Sequence, residues 1–277
     1  DKDADFLYEH GKEFPIDIEL FYQTMDIDKI KAMGLKRLGG CLYVDGTFGA
    51  RTAALSFQYA DCPGTMGSLL LTQQEINDFV LNCYKNNLQL ALYTIGDRAI
   101  EMAINAHENA FYQTGIIGLR HRLEHAELIN EKQIQRAKEL GILLSMQPSY
   151  ETYWGGPGKM YEQRLGDKYI LTNPFKEIIE KGVIICGGSD SDVTEPRPLL
   201  GIHSAVNHPV VKHRVDIYEA LKMFTCNGAY GIFQEKNKGT LSVGKTADII
   251  ILDRDILLVP SHQIEKARVC VTIKSSE

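Results

Sequence analysis

Short apolar runs rich in β-branched residues alternate along this chain with longer amphipathic stretches, and this alternation constrains the fold more than any other feature. Within the longer stretches, apolar residues recur at helical spacing, as at Ile76, Phe79 and Val80. The pattern predicts an α/β fold built from βα units around a parallel sheet. The predicted strands are 15–22, 37–45, 88–94, 120–125, 142–147 and 183–188, and the predicted helices are 72–85, 98–112, 130–140, 173–181 and 215–224.

The pattern changes beyond Gly239, where Gly, Thr and alternating apolar residues predict a small β unit with strands at 248–252 and 269–273. About six βα units precede that point, whereas a closed barrel of this type needs about eight. We therefore expect an incomplete (β/α) barrel over residues 1–238, lacking two units at its N-terminus, and a separate β portion over 239–277. The open sheet edges of such a barrel favour a homo-oligomer unless another segment covers them.

Composition and charge argue against several classes of partner. The 277 residues carry 30 Lys and Arg against 36 Asp and Glu, a formal charge of -6, without a basic block that would follow a phosphate backbone. No apolar run approaches the ~20 residues that span a bilayer, and Asp1 opens a charged segment instead of a secretory leader. We expect a cytoplasmic protein that binds neither nucleic acid nor a membrane. The missing initiating Met agrees with a fragment or a processed product.

Asp190 is the strongest single candidate for chemistry. It follows the apolar run that starts at Ile184 and ends in Gly187-Gly188-Ser189, so it lies at the carboxyl edge of a predicted buried strand, where barrel enzymes keep their active sites. A carboxylate there is costly unless it binds a metal, accepts a proton or meets a helix N-terminus. The structural alternative is a helix N-cap, a role that Ser189 or Asp192 could fill equally well.

His125 ends the run Arg120-His121-Arg122-Leu123-Glu124-His125, and its imidazole is expected at the same edge of the sheet as Asp190. Alone, such a histidine is more often a core residue than a ligand; together with Asp190, it favours a metal site. The segment also matches H-x-x-E-H, the pattern of zinc peptidases in which His121 and His125 would bind zinc on a continuous helix. That peptidase interpretation is a minor alternative.

Three other residues are weaker candidates. Asp97 closes one strand and opens a helix, so it is expected either to form a structural cap or ion pair or to contact a ligand. Trp154 lies in a glycine-rich segment near Tyr150, and these aromatic side chains could cover a substrate or belong to a packed surface loop.

Taken in order along the chain, these motifs resemble the amidohydrolase superfamily, and in particular its YtcJ-like branch, which includes N-substituted formamide deformylases. The resemblance covers nearly the whole chain, apparently without the family's N-terminal part. The motifs that carry it are Asp45-Gly46 with Arg51-Thr52-Ala53-Ala54-Leu55, Ile95-Gly96-Asp97-Arg98-Ala99, Arg120 through Ala126, Ser145-Met146-Gln147-Pro148, Gly188-Ser189-Asp190 and Gly244-Lys245-Thr246-Ala247-Asp248.

The resemblance implies a (β/α)8 TIM-type barrel, of which this chain would hold strands three to eight, and part of a small β-sandwich at the C-terminus. It implies a divalent metal, with zinc favoured, and carries over His125 as a ligand and Asp190 as ligand and general base. The family's ligating lysine and fifth-strand histidine correspond to Cys41 and Tyr93, and no HxH pair occurs in the chain. Cysteine can ligate zinc and tyrosine is a poorer ligand, so one ion is favoured over two, with Cys41 as a third candidate ligand.

By the same resemblance, the chain is expected to be an enzyme that hydrolyses a non-peptide C–N bond in a small amide or formamide. Metal-activated water would attack the carbonyl, Asp190 would accept its proton, and Glu124 and Asp97 would orient the ligands. The alternative is an incomplete or catalytically impaired barrel that acts as a binding or structural protein, which Cys41, Tyr93 and the absent HxH pair favour.

Overall fold

A computed structural model describes residues 2–274. The fold is α/β, with five parallel strands that follow one another in chain order. The chain forms two compact units, the first ending at Leu144 and the second beginning at Ser145. This division differs from the predicted boundary at 238/239, which stays a prediction.

Three strands and the start of a fourth belong to the first unit. They are β1 (Arg37–Leu38), β2 (Gln89–Thr94), β3 (Arg122–His125) and β4 (Leu143–Met146), which continues into the second unit. β1, β2 and β3 pair in parallel, with Thr94 opposite His125. β2 is buried along its whole length, as expected of a strand covered on both faces. Because parallel strands in register end at one level, the residues after β2 and β3 share an edge.

Local capping signals define the longer helices of the first unit. At the start of one helix, Thr72 accepts the amide proton of Glu75, and Glu75 in return accepts that of Thr72. Asn130 and Gln133 form the same reciprocal box. The predicted helices 72–85, 98–112 and 130–140 are confirmed within one or two residues. The helices are α1 (Lys2–His10), α2 (Ile27–Ala32), α3 (Gln73–Lys85), α4 (Asp97–Thr114) and α5 (Glu131–Glu139).

Two strand predictions in the first unit need correction. The stretch 15–22 is not a strand: within residues 2–274, its β pairing is the single bridge from Tyr22 to Leu38. The strand predicted at 37–45 is regular only in its first two residues. The strand is interrupted at Gly39, whose φ of 105° departs from extended backbone. Only glycine fits at this position, because a Cβ would lie 2.0 Å from the Ala91 carbonyl oxygen.

The second unit holds the end of β4 and the short strand β5 (Ile185–Gly187), joined by a hydrogen bond of 2.9 Å from the Gly188 amide to the Met146 carbonyl. The predicted helices 173–181 and 215–224 are confirmed with shorter bounds. The segment 148–172 is not an open loop, since it carries two short helices and a 3-10 turn. The helices are α6 (Ser149–Tyr153), α7 (Met160–Leu165), α8 (Phe175–Glu180), α9 (Pro198–Val206), α10 (Ile217–Met223) and α11 (Cys226–Gly231).

The C-terminal part of the second unit contains β6 (Ile249–Leu252) and β7 (Val269–Ile273), which pair in antiparallel fashion. Both strands were predicted from the sequence. Whether they belong to a β-sandwich stays a prediction. Among residues 2–274, no helix is both long and apolar enough to cross a bilayer.

Candidate functional site

In the first unit, the edge formed by the ends of β2 and β3 brings together aromatic and imidazole rings. The ring of Tyr93 lies 4.4 Å from that of His125 in an edge-on arrangement and 4.5 Å from that of Tyr43. His125 is buried, with 3% of its surface exposed. The structure therefore places two predicted positions, Tyr93 and His125, in direct contact.

The backbone at His125 is unusual for a residue with a side chain. Its φ is 68° and that of Ala126 is 47°, so both residues adopt the left-handed conformation. The turn is held by a 2.8 Å hydrogen bond from the Ala126 amide to the Thr94 carbonyl. Such conformations cost free energy and persist where surrounding structure enforces them, as often happens at functional sites. The left-handed turn fixes where the strand ends and hence where the imidazole projects.

Glu124 forms an ion pair with Arg122. Its Oε1 accepts hydrogen bonds of 2.7 Å from the Arg122 guanidinium, which in turn lies over the Phe21 ring at 4.2 Å. The predicted role of Glu124 in orienting a metal ligand stays a prediction.

Asp97 begins α4, and its side chain accepts the Ser56 amide proton at 2.9 Å. It thus ties the long loop after residue 50 to the end of β2. Asp45 ties the same loop more strongly, since its carboxylate accepts the amide protons of Ala54, Ile95 and Gly96 at 2.8–3.0 Å. Burial raises the pKa of Asp45 to about 7 in spite of these donors. In the sequence, the Asp45-Gly46 pair marked a turn but did not indicate this role.

Cys41 lies just after the Gly39-Gly40 break and is half-buried, with its carbonyl accepting a proton from the Gln23 side chain at 2.7 Å. Its predicted role as a zinc ligand stays a prediction.

The zinc-peptidase pattern requires correction. Residues Arg122–His125 form a strand, so His121 and His125 do not lie one turn apart on a helix. His121 is instead buried beside Tyr84, with ring centroids 4.4 Å apart, and its Nδ1 accepts the Leu90 amide proton. Burial holds the pKa of His121 well below its usual value. The motif therefore lacks the helical geometry that its chemistry needs.

In the second unit, Asp190 follows β5 at the predicted position. It is half-buried, its φ is 54°, and its Oδ2 accepts the hydroxyl proton of Tyr150 at 2.5 Å. The next helix begins at Pro198 with Arg197 as its cap residue, so the helix N-cap alternative for Asp190 is not observed. The carboxylate is thus positioned by a phenol and left in a strained conformation at a strand end.

Tyr150 contacts both Asp190 and Trp154. Tyr150 belongs to α6, directly after β4, and its ring meets the Trp154 ring edge-on at 4.5 Å. Ser149 and Ser189, which precede Tyr150 and Asp190, both line a cavity of about 170 Å³, with Arg197 and Phe224 on other sides. Of the two predicted aromatic residues, Tyr150 therefore contacts the carboxylate directly, a contact that the spacing of these residues in the sequence did not indicate.

The donors for a metal ion are incomplete. Within residues 2–274, no three His, Cys, Asp or Glu side chains are placed to hold an ion. A tetrahedral zinc site needs about four ligands. His125 and Asp190 could each contribute one donor, but the described residues do not by themselves fit a complete metal site.

Known proteins are similar to this chain over most of its length. The model of the amidohydrolase family matches residues 21–276. The chain is 30% identical over 244 residues to a protein of Bacillus subtilis named as amidohydrolase YtcJ, and 25% identical over 218 residues to the N-substituted formamide deformylase of Arthrobacter pascens. These alignments cover 84% and 76% of this chain, but 45% and 40% of the relatives.

A solved structure is also similar to this chain. An uncharacterized metal-dependent hydrolase from Pyrococcus furiosus superposes with a TM-score of 0.77 at 31% identity, over 93% of this chain and 55% of that chain. The chain thus spans about half the length of the proteins that it matches.

Proposed function

Because this chain belongs to the amidohydrolase family, whose model covers residues 21–276, we propose that it is part of an enzyme that hydrolyses a non-peptide C–N bond in a small amide or formamide. The similarity to a formamide deformylase supports this class of substrate.

The observation that carries the proposal is the environment of Asp190. Its carboxylate stands at the end of β5, half-buried, with one oxygen bound by the Tyr150 hydroxyl at 2.5 Å. The adjoining residues Gly188 and Ser189 line the cavity of about 170 Å³. A general base needs such a place, next to a space that admits a small substrate and within reach of water.

Asp190 would act twice in the reaction. As water attacks the carbonyl carbon, Asp190 accepts one of its protons, and a tetrahedral species with a C–O bond forms. When the C–N bond breaks, Asp190 returns that proton to the leaving nitrogen. The products are a carboxylic acid, or formate, and an amine, and Asp190 is again ionised.

A divalent ion is part of the proposal for the complete protein, with zinc favoured and one ion favoured over two. His125, Asp190 and Cys41 are the candidate ligands in this chain. Since the described residues do not form a complete set of donors, further ligands would have to come from elsewhere in the complete protein.

We also propose that the five parallel strands belong to a (β/α)8 barrel as part of its third to eighth strands, and that β6 and β7 belong to a small β-sandwich. Because the stretch 15–22 forms only a bridge at Tyr22, the numbering of the strands within the barrel stays a prediction. A cytoplasmic location and assembly into a homo-oligomer, without nucleic-acid or membrane partners, complete the proposal.

A second candidate is a binding or structural protein without catalytic activity. The lack of a three-donor group within residues 2–274 favours it, as do Cys41 and Tyr93 at positions where the family has ligands. The two candidates differ in whether the complete protein turns over any simple amide.

The test is Asp190→Asn in the complete protein, assayed with p-nitroformanilide, whose hydrolysis releases formate and coloured p-nitroaniline. Loss of a general base should lower kcat by at least about 100-fold, with the fold intact by circular dichroism. The matched control is Asp192→Asn, an exposed neighbour in the same loop. An active Asp190→Asn variant would disprove the assignment of the base, and a wild type without turnover of this or other simple amides would favour the second candidate.

A further inference from the structure

We propose that Tyr150 is a positioning residue for catalysis: its hydroxyl holds Oδ2 of Asp190 and leaves Oδ1 as the oxygen that exchanges protons with water and amine. This inference rests on the proposed function of Asp190. The Tyr150 hydroxyl lies 2.5 Å from Oδ2, the short length typical of a hydroxyl donating to an ionised carboxylate. Within the described residues, Oδ2 of Asp190 has this bond and Oδ1 has no hydrogen bond.

Tyr150 is well placed to hold a fixed position. It is 6% exposed and lies in α6, directly after the end of β4. Its ring packs edge-on against Trp154 at 4.5 Å, and the Trp154 amide donates to the Tyr150 carbonyl at 2.7 Å. Ring and backbone are thus both restrained, so the hydroxyl needs no further ordering when substrate binds.

The next residue anchors the same helix from its other side. Glu151 is 2% exposed, and its Oε1 accepts hydrogen bonds from the Thr172 hydroxyl at 2.9 Å and the Asn173 side chain at 2.7 Å. His208 is fully buried, with its Nε2 3.5 Å from the same oxygen. A buried carboxylate with several donors resists displacement, because losing them would leave a charge unpaired. Glu151 therefore fixes the helix turn that presents Tyr150.

The bond has one chemical consequence. With Oδ2 already occupied, the proton from water is received at Oδ1, and the same oxygen gives it to the leaving nitrogen. No proton passes through Tyr150, which keeps its own throughout and acts only through Asp190.

The inference is tested with Tyr150→Phe in the complete protein and p-nitroformanilide as the probe. We expect kcat to fall by about 10- to 100-fold with KM changed less than about threefold, since the lost bond orients the base and does not touch substrate.

Two further variants make the test specific. Tyr153→Phe is the matched control, since Tyr153 lies in the same helix, is 41% exposed and has no side-chain hydrogen bond within residues 2–274. Substituting 3-fluorotyrosine at position 150 keeps the hydroxyl and nearly the same ring, so kcat should stay within about threefold of the wild type. A loss of kcat in Tyr150→Phe at nearly unchanged KM, absent from the 3-fluorotyrosine protein, assigns the effect to the hydroxyl and not to the packing of the ring.

The outcomes separate this inference from the proposed function. If Asp190→Asn is inactive while Tyr150→Phe behaves like Tyr153→Phe, the positioning role is wrong and the function of Asp190 stands. If Asp190→Asn keeps full turnover, the function itself is wrong.

A readout without turnover tests the contact directly. The melting temperatures of Tyr150→Phe, Asp190→Ala and the double variant should be non-additive, because each single change removes the same hydrogen bond. Additive shifts would overturn the inference even if no substrate were found.

Discussion

At the scale of single residues, the role of a carboxylate follows from its donors. Asp45 accepts three backbone amide protons, so both of its oxygens are used to hold the loop after residue 50 against the end of β2. Asp190 accepts one hydroxyl proton, adopts a left-handed conformation and directly follows Ser189, which lines a cavity. The first arrangement is structural, whereas the second leaves an oxygen available for chemistry.

Asp45→Asn should therefore lower the free energy of unfolding, although the side chain keeps its size. Oδ2 of Asp45 accepts two amide protons and Oδ1 accepts one, so an asparagine NH₂ group would face a donor in either orientation. We expect a loss of about 2 kcal/mol in urea unfolding at pH 7. The control is Asp78→Asn on the exposed face of α3, and equal stabilities of the two variants would contradict the prediction.

At the scale of elements, α3, α4 and the start of β3 enclose a group of buried rings. Tyr84 of α3 contacts His107 of α4, with its hydroxyl 3.2 Å from Nδ1, and stacks on His121, which directly precedes β3. The two imidazoles lie 4.8 Å apart and are fully buried. Burial lowers the pKa of His107 to about 3, so this imidazole is neutral in the folded protein near pH 7.

This burial predicts sensitivity to acid. A histidine whose folded pKa is about 3 contributes stability that is complete above its unfolded pKa of about 6.5 and is lost as the pH falls, since only the unfolded chain then takes up a proton. Between pH 7.5 and 5, the wild type should lose about 2 kcal/mol relative to His107→Gln, which keeps a polar partner for Tyr84 but does not titrate.

The comparison must be between variants, because Asp45 acts in the opposite direction: its raised pKa of about 7 adds stability as the pH falls through that value. Urea unfolding at both pH values measures the difference, and His262→Gln, at an exposed histidine, should track the wild type. A His107→Gln variant with the wild-type pH dependence would show that His107 is protonated in the fold.

At the scale of the whole molecule, the candidate residues fall in both compact units, His125 in the first and Asp190 in the second. Neither unit presents three metal-binding side chains within residues 2–274. The chain also spans less than half the length of the curated relatives named above, at 45% and 40%. Activity and metal binding are therefore proposed for the complete protein and not for this chain alone.

Metal content separates these possibilities. After dialysis, the 277-residue chain alone should retain less than one zinc ion, since single donors bind too weakly, whereas the complete protein should retain about one. His125→Ala in the complete protein should lower that content, and His262→Ala should not. Plasma mass spectrometry gives the ratio of metal to protein. A full equivalent of zinc in the short chain, unaffected by His125→Ala and Asp190→Ala, would mean that other residues bind it.

The sequence predicted those elements whose signals are local. Helices such as α3 and α5 were identified because their apolar spacing repeats within one or two turns. The structure adds the reciprocal caps at their starts. The stretch 15–22 was mispredicted because a strand also needs a neighbouring strand to pair with. Within residues 2–274, the pairing of this stretch is the bridge from Tyr22 to Leu38. The residue types at positions 121–125 match the sequence pattern of a helical zinc motif. The segment is nevertheless a strand at 122–125, because it pairs with β2.

By itself, the sequence determined the α/β class, the order of the elements, the family resemblance and the placement of Asp190 and His125 at strand ends, because these depend on neighbours in the chain. The tertiary structure alone decided that Tyr150 bonds Asp190 across 40 positions, that Tyr93 packs on His125, and that Asp45 organises a loop. Such contacts depend on which distant segments meet, and this is decided by packing and by the entropy of closing the chain between them, neither of which is encoded in a local pattern.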